Sequence, residues 1–210
     1  MHPNKIFRGT PADRNAHFAR DRAFGVLSMN VVDGPLLAHV PFLLSPGAKI
    51  AHLHLFRPYP IARATTEPQP CVIAVSGPDS YISPDWYGVP DQVPTWNDIA
   101  VHLRGTLRLM EPDELHPMLD RQSAHFEEQL TPKTPWTTSK MTDGVMDRMM
   151  RAIVPCEMAI TEIDGTWKLS QNIPDAVRHA AAGHVVSDGI GSERATVGTI
   201  MHDVSDAKDG

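Results

Sequence analysis

Alternation of apolar and polar residues predicts a succession of β-strands over the first half of the chain. Residues 23–44, AFGVLSMNVVDGPLLAHVPFLL, contain two strand-like runs on either side of an Asp-Gly-Pro turn signal typical of a hairpin. The segment KIAHLHLF (49–56) alternates with period two, as a half-buried strand does. CVIAVSG (71–77) indicates a short buried strand, and DIAVHLRGTLRLME (98–111) indicates a long one with a bulge position at Gly105.

Helical spacing of apolar residues marks the start of the chain and one region after the long strand. Thr10 followed by Pro11 is an N-cap and first-turn pair, which predicts a helix to about Arg22. Two further helices are predicted at 112–130 and 142–152, where apolar residues recur every three to four positions.

The last quarter of the chain gives weaker signals. Residues 157–170 indicate one last strand, or a hairpin that turns around Asp164-Gly165. Pro174-Asp175 opens a short helix that ends near Gly183. No periodicity is sustained beyond it. We therefore expect one domain over residues 1–182 and a loosely held tail over 183–210.

Five to seven strands in hairpin-like succession, with helices at the ends, predict an α+β fold that is mainly β. An antiparallel barrel with peripheral helices accommodates this order, whereas a doubly wound parallel sheet needs a helix after nearly every strand. The sequence also lacks the GxGxxG and GxxxxGK[ST] patterns of nucleotide-binding α/β folds.

Composition and charge narrow the choice of partners. The chain has 41% hydrophobic and 21% charged residues, no apolar run of membrane-spanning length and no signal-peptide pattern, so we expect a cytoplasmic protein without a membrane partner. Its formal net charge of −6 does not support direct DNA binding, since a protein that holds DNA normally presents a basic face. Cys71 and Cys156 lie in strand-like runs and are expected to be buried free thiols.

Histidines offer a first candidate site. His52 and His54 point to one face of a predicted strand, and His39 lies on the neighbouring strand, a spacing compatible with a metal or haem site that also includes His102. The carboxylate that a cupin-type site would place soon after the HxH pair is absent. We therefore name no metal ligand and rank the haem or metal alternative last.

The stretch from Gly77 to Gly105 offers a second candidate site, because aromatic rings and neutral hydrogen-bonding groups are concentrated there. A planar heterocycle with a polar rim, such as a flavin, needs an apolar face and rim donors together. The phosphate of such a cofactor would be held by Lys168, Ser170, Arg57 or Arg63. The alternative is that the aromatics simply close one end of the barrel under a proline-rich loop. The aromatic residues are Tyr81, Trp86, Tyr87 and Trp96, and the polar ones are Ser83, Thr95, Asn97 and His102.

Four motifs in this order resemble the PaiB-like FMN-binding negative transcriptional regulators. They are YISPDWY (81–87), VPTWN (93–97), Val101-His102 with Gly105, and KLSQN (168–172). The resemblance covers roughly residues 3–182. It implies a split β-barrel of the pyridoxamine-phosphate-oxidase type, usually a homodimer with two flavin sites at the subunit interface.

One segment departs from the family pattern. Where the family has a segment like GHLARANP, this chain has AHLHLFRP (51–58), so the arginine position holds Leu55 and the asparagine position holds Arg57. Three outcomes stay open: Arg57 supplies the charge for the FMN phosphate, FMN binds weakly, or another ligand takes the site.

The resemblance and the residues together predict an FMN-binding split-barrel homodimer, acting as a negative transcriptional regulator directly or indirectly. The alternatives are a flavin-dependent oxidoreductase of small molecules and a haem- or metal-binding barrel. No catalytic residue is identified. The residues expected to bind the cofactor are His39, His52, Arg57, Tyr81, Ser83, Trp86, Thr95, Trp96, Asn97, His102, Lys168, Ser170 and Gln171.

Overall fold

Six antiparallel strands form a closed barrel in the order β1-β2-β3-β6-β5-β4 in the computed structural model, which describes residues 1–204. The predicted α+β class, mainly β and with peripheral helices, is confirmed. The strands are β1 Phe24–Val31, β2 Gly34–Leu44, β3 Ile50–Phe56, β4 Gln69–Ile82, β5 Thr95–Leu109 and β6 Ile153–Lys168. The α-helices are α1 Ala12–Arg22, α2 Pro60–Ala64, α3 Leu115–Glu128, α4 Val145–Met150, α5 Asp175–Asp188 and α6 Arg194–Asp203.

The first hairpin forms where the turn signal predicts it. Strands β1 and β2 pair from Phe24 opposite Pro41 to Val31 opposite Gly34, and Gly34 adopts φ +114°, which suits glycine. Strand β3 continues the sheet from β2 and pairs with β6, where His52 lies opposite Glu157.

Strand β6 runs without interruption through the predicted turn at Asp164-Gly165, so the strand alternative is correct and the hairpin is not. Gly165 serves a different purpose. A Cβ atom there would lie 2.2 Å from Oδ1 of Asn15, so glycine leaves room for that side chain against the strand.

The described residues divide into two compact units, each built from separate stretches of chain. Unit 1 comprises residues 1–18, 75–102 and 163 onward, and unit 2 comprises 19–74 and 103–162. In unit 1 the buried core combines ends of three strands with the last two helices: Ile82, Tyr87, Ile99, Trp167, Leu169, Ala181, Ala182, Val185, Val197 and Met201. In unit 2 the alternate residues of the strands are buried, and Met110, Leu115 and Met118 form a small cluster at the start of α3.

Residues 183–204 differ from the loose tail expected there. Helix α5 continues five residues past Gly183 to Asp188, and α6 follows, with Val185, Val197 and Met201 fully buried. The helices pack closely because Gly198 has no side chain, and a Cβ there would lie 2.8 Å from the backbone oxygen of Ala182. Small residues give this contact little hydrophobic periodicity, so the pattern did not predict it. The rest of the expected tail, 205–210, lies outside the described residues.

Arg178 holds the end of α6 to α5. Its guanidinium is fully buried and donates to the backbone oxygens of Met201 at 2.9 Å and Ile173 at 3.0 Å, and it pairs with Asp175. A buried arginine is stable only when its donors are satisfied, and carbonyls at a helix C-terminus are suitable acceptors. Within residues 1–204, no helix has the length and apolar character required to cross a membrane.

Candidate functional site

The aromatic stretch of unit 1 divides into buried and exposed rings. Tyr87, in the short 3-10 helix Pro84–Tyr87, is only 4% exposed and belongs to the core. Trp86 is half-buried and stacks on His184 of α5, with ring centroids 5.7 Å apart and planes 14° from parallel. For these two residues the packing interpretation therefore describes the structure.

Trp96 is the exposed ring of the stretch, and the half-buried Tyr81 lies beside it. Their rings meet edge to face with centroids 6.1 Å apart, and Trp96 is 49% exposed although it sits in strand β5. Alternation along β5 points Trp96 and Asp98 to the outer face, while Asn97 and Ile99 point inward. The result is an apolar surface with two aromatic rings and polar neighbours.

Lys168, at the end of β6, joins this surface to strand β5. Its Nζ donates to the backbone oxygen of Trp96 at 2.7 Å and to the hydroxyl of Thr95. Burial lowers the pKa of Lys168 and raises the pKa of Asp98, and the opposite charges of the two groups counteract both shifts. Lys168 therefore places a cation beside an exposed indole. We use the name aromatic surface for Tyr81, Thr95, Trp96, Asp98 and Lys168.

Three other predicted residues of unit 1 have their polar atoms engaged inside the fold. Asn97 donates to Oγ of Ser170 at 2.9 Å, and that hydroxyl is 2.8 Å from the Tyr87 hydroxyl, so the three residues form a buried network. Gln171 accepts from the backbone N–H of Leu169 at 2.7 Å and donates to the oxygen of Trp167 at 2.5 Å. Through these contacts the side chains of Asn97, Ser170 and Gln171 stabilise the turn after β6.

Ser83 and His102 complete the predicted set in unit 1. Ser83 is half-buried at the start of the 3-10 helix, where its side chain makes no capping hydrogen bond. His102 is half-buried on the outward-facing side of β5, in line with Trp96 and Asp98. Ten of the thirteen predicted residues thus lie in unit 1 and three, His39, His52 and Arg57, in unit 2.

The predicted histidines of unit 2 differ in their exposure and in their neighbours. His39 is exposed on β2, whereas His52 Nε2 lies 3.5 Å from Oε2 of Glu157, which also pairs with Arg108 at 3.1 Å. His54 lies beside Gln122 of α3, and burial lowers the pKa of His54 while the Gln122 amide opposes this shift to a smaller extent. Residues 1–204 contain no group of three or more His, Cys, Asp or Glu side chains placed to hold a metal ion.

The segment that departs from the family pattern has one core residue and one exposed cation. Leu55 is 1% exposed, so the position where the resemblance implies arginine is apolar and buried here. Arg57 donates from Nε to the oxygen of Arg151 and from Nη2 to that of Ile153, both at 3.0 Å. It lines a cavity of about 450 Å³ together with Arg151 and Asp147.

Sequence reasoning missed several of these neighbours. Asp98 has the same period-two relation to Trp96 that placed His52 beside His54, so alternation was sufficient to find it. The position of Glu157 and Arg108 beside His52 could be found only from the pairing of strands that are distant in sequence. Four methionines within residues 141–150 were visible as a cluster but carried no motif.

The comparisons with known proteins agree on family and fold. Residues 1–162 match the model of a family described as "Putative FMN-binding domain". The chain is 27% identical over 176 residues to "Protease synthase and sporulation protein PAI 2" of Bacillus subtilis (strain 168), which covers 82% of this chain and 83% of that protein.

Two solved structures are similar in fold. The FAD and haem binding protein from Mycobacterium smegmatis has a TM-score of 0.55 at 14% identity, covering 77% of this chain and 73% of that one. The conserved hypothetical protein Rv2991 from Mycobacterium tuberculosis has a TM-score of 0.55 at 15% identity, covering 82% of this chain and 94% of that one. The fold is a split β-barrel.

Proposed function

The chain belongs to the FMN-binding domain family whose model it matches, and on that premise we propose that it binds a flavin, with FMN as the preferred form. The observation that carries the proposal is the match over residues 1–162, which contain all six strand starts and the aromatic stretch. One solved relative in fold is described as an FAD and haem binding protein, so FAD is the flavin to compare with FMN.

The aromatic surface of unit 1 fits the chemistry of a flavin. The exposed face of Trp96, with Tyr81 at its edge, offers the flat apolar area on which an isoalloxazine ring packs. Lys168 supplies a cation beside it, which favours an anionic group such as a phosphate. When bound, the flavin would supply redox chemistry, while these residues bind and orient it.

The buried residues support this surface from below. Asn97 and Ser170, which follow Trp96 and Lys168 in the chain, are buried and hydrogen-bonded to each other, so we assign them positioning roles rather than direct contact with the flavin. In unit 2, His39, His52 and Arg57 remain predicted cofactor contacts, and Arg57 is the exposed cation of the segment 51–58. Single substitutions of His39, His52 and Arg57, each followed by measurement of FMN binding, test these contacts.

The first experiment is the visible absorption spectrum of the purified protein, repeated after incubation with FMN or FAD and desalting. Retained bands near those of free flavin, stronger with FMN than with FAD, are expected. A protein that stays colourless after loading with either flavin contradicts the proposal. A Soret band in the unloaded protein would instead support the haem alternative.

Variants then locate the flavin. We expect Trp96→Leu to weaken FMN binding about tenfold, as loss of an aromatic contact worth roughly 1.4 kcal/mol does. Lys168→Gln should weaken FMN more than riboflavin, since only FMN carries the phosphate. Phe24→Leu and Lys49→Gln are the matched controls, because Phe24 and Lys49 are exposed residues of unit 2 outside the predicted set. Equal effects of test and control variants would argue against the aromatic surface.

Negative regulation of transcription is a second proposal, which rests on the resemblance of the four motifs to the PaiB-like regulators. With a net charge of −6, we favour an indirect effect over operator binding. A gel shift of the protein at low salt, with and without FMN, distinguishes the two. Retarded duplex would favour direct regulation.

A homodimer, cytoplasmic location and flavin-dependent oxidoreductase activity on small molecules remain predictions, and sedimentation velocity tests the first of them.

A further inference from the structure

A second cavity in unit 2 has a different chemistry from the aromatic surface. It has a volume of about 410 Å³, in the range of small-molecule sites. Its wall is formed mainly by thioether and aromatic side chains, and every residue that lines it is uncharged. The side chains that matter here are Phe56, Trp136, Met141, Met146, Met149 and Met150. We call this the methionine cavity.

Polar contacts outside the cavity hold one wall in place. Glu127 accepts the backbone N–H of Trp136 at 2.7 Å and also pairs with Lys133, and Lys140 donates to the oxygen of Pro135 at 3.0 Å. Glu127 thereby holds Trp136 to helix α3, and the Lys140 contact closes the segment that leads to Met141. Charged groups of the chain itself therefore hold this wall.

Large apolar groups at the cavity remain open to solvent. Met149 is 59% exposed and Phe56 is 50% exposed, although both line a concave surface. Single exposed apolar residues are ordinary, but two of them at one apolar cavity favour a binding site there. Burial of these groups by an apolar molecule removes them from water and favours its binding.

The lining also selects among apolar molecules. Thioether sulfur makes favourable contacts with aromatic ring edges, and unbranched methionine side chains adapt to different ring shapes. Trp136 and Phe56 add edge-to-face partners. A phosphate group held within the cavity is disfavoured, because none of the residues that line it is a cation.

We propose that the methionine cavity binds an uncharged planar aromatic molecule of about two or three fused or linked rings. Its lining shares no residue with the aromatic surface, and the proposal does not rest on flavin binding. The occupant is defined by its chemistry: flat, neutral and without a group that needs an ionic partner.

The test uses 1-N-phenylnaphthylamine, an uncharged aromatic dye whose fluorescence increases in apolar surroundings. We expect saturable binding to the full chain with a dissociation constant below about 100 μM. Energy transfer from Trp136 to the bound dye should quench tryptophan emission. Trp136→Phe should remove more of this quenching than Trp86→Phe, which changes a ring in unit 1.

A charge at the opening of the cavity tests its location. Met149→Lys should weaken dye binding at least about tenfold, because the exposed position tolerates lysine but the apolar contact is lost. Leu130→Lys is the control: Leu130 is 52% exposed, precedes the same segment and does not line the cavity, so its affinity should stay within about twofold. Circular dichroism verifies that both variants are folded.

Three results would overturn the proposal. The first is dye binding that does not saturate, or that Met149→Lys and Leu130→Lys affect equally. The second is competitive displacement of the dye by FMN in the wild type, which would make the cavity part of a flavin site. The third is a sedimenting dimer that Met149→Lys alone converts to monomer, with dye binding confined to the monomer, which would make the cavity an interface between copies.

Discussion

Trp167 of strand β6 donates its indole N–H to Oδ1 of Asn15 in helix α1 at 2.8 Å, and both side chains are buried. The guanidinium of Arg14 lies 4.5 Å from the centre of the Trp167 ring, and the Phe18 ring meets it edge to face at 5.5 Å. One turn of α1 thus surrounds one tryptophan from several sides. This arrangement fixes the first part of α1, which belongs to unit 1, next to the strand that ends at Lys168.

Replacement of Asn15 by alanine should lower the free energy of unfolding by about 1–3 kcal/mol, since the buried indole N–H loses its acceptor. Urea denaturation measures the change. A double-mutant cycle with Trp167→Phe isolates the hydrogen bond, and we expect a coupling of about 1 kcal/mol. Additive effects would mean that Asn15 acts through packing alone.

Ser170 should respond differently to two substitutions that both remove its hydroxyl. Ser170 has φ +59°, in the left-handed region that favours glycine. Ser170→Ala and Ser170→Gly each leave Asn97 and Tyr87 without their buried partner, at a cost of about 1–3 kcal/mol. The glycine variant should be the more stable of the two by about 1 kcal/mol in urea titration, because its backbone strain is relieved. The reverse order would contradict the left-handed backbone.

Gly105 and Gly183 provide a matched pair for alanine substitution. A Cβ at Gly105 would lie 2.0 Å from the backbone oxygen of Ala159 on β6, so Gly105→Ala should destabilise the protein by at least about 3 kcal/mol. At Gly183, inside α5, a Cβ meets nothing within 4 Å, and Gly183→Ala should stabilise by up to about 1 kcal/mol. Thermal unfolding of both variants measures the opposite signs. A well-folded Gly105→Ala protein would show that β5 and β6 can separate locally.

Stability should fall as the pH falls below about 6.5, in part because of His54. Burial lowers the pKa of His54 in the folded protein. As the pH falls, the unfolded chain is therefore protonated before the folded protein, and the free energy of unfolding decreases between the two pKa values. The ring is only partly buried, so the slope should stay well below the limit of about 1.4 kcal/mol per pH unit. Above pH 7.5 the contribution is complete and constant.

Denaturation at pH 7.5 and 5.5 measures this effect in the wild type and in His54→Gln, which should lose less stability between the two values. His116→Gln is the control, since His116 lies on α3 with Nδ1 3.2 Å from Oδ2 of Asp120 and its side chain is 45% exposed. If His54→Gln retains the full pH dependence, His54 is protonated as easily in the folded protein as in the unfolded chain.

The two cysteines should resist thiol reagents in the folded protein. Cys71 and Cys156 are free and buried, as the strand-like sequence around them predicted, and burial raises the pKa of each thiol to about 12. An aromatic disulfide reagent at pH 8 should therefore label no cysteine in native protein and two in urea. Rapid native labelling would reveal local opening of β4 or β6.

The fold was predictable where one face of an element differs strongly from the other. Strand β3 alternates buried residues with half-buried ones, and this contrast is present in the letters KIAHLHLF. The two faces of helices α5 and α6 differ less in polarity, because the helices meet through Ala182 and Gly198 and through the buried Arg178. Such contacts depend on fit between two surfaces, which one segment of sequence does not reveal.

The candidate site was predictable in its residue types more than in their roles. Trp96 and Lys168 were identified by motif, and the structure joins them through a hydrogen bond. Asn97 and Ser170 belong to the same motifs but turn inward, since alternation in β5 and the left-handed turn after β6 direct them to the core. The methionine cavity had no motif at all, because its walls come from α3, the segment between α3 and α4, α4 itself and the ends of two strands.

The residue at which the family match ends has a practical consequence for protein expression. The match stops at residue 162, whereas β6 continues to Lys168. A gene truncated at that boundary would encode a polypeptide without Trp167, Lys168 and both final helices, and so without one of the three stretches that compose unit 1. A recombinant fragment planned from homology alone would therefore lack a core tryptophan and the cation beside Trp96, and its failure to bind FMN would say nothing about the intact chain.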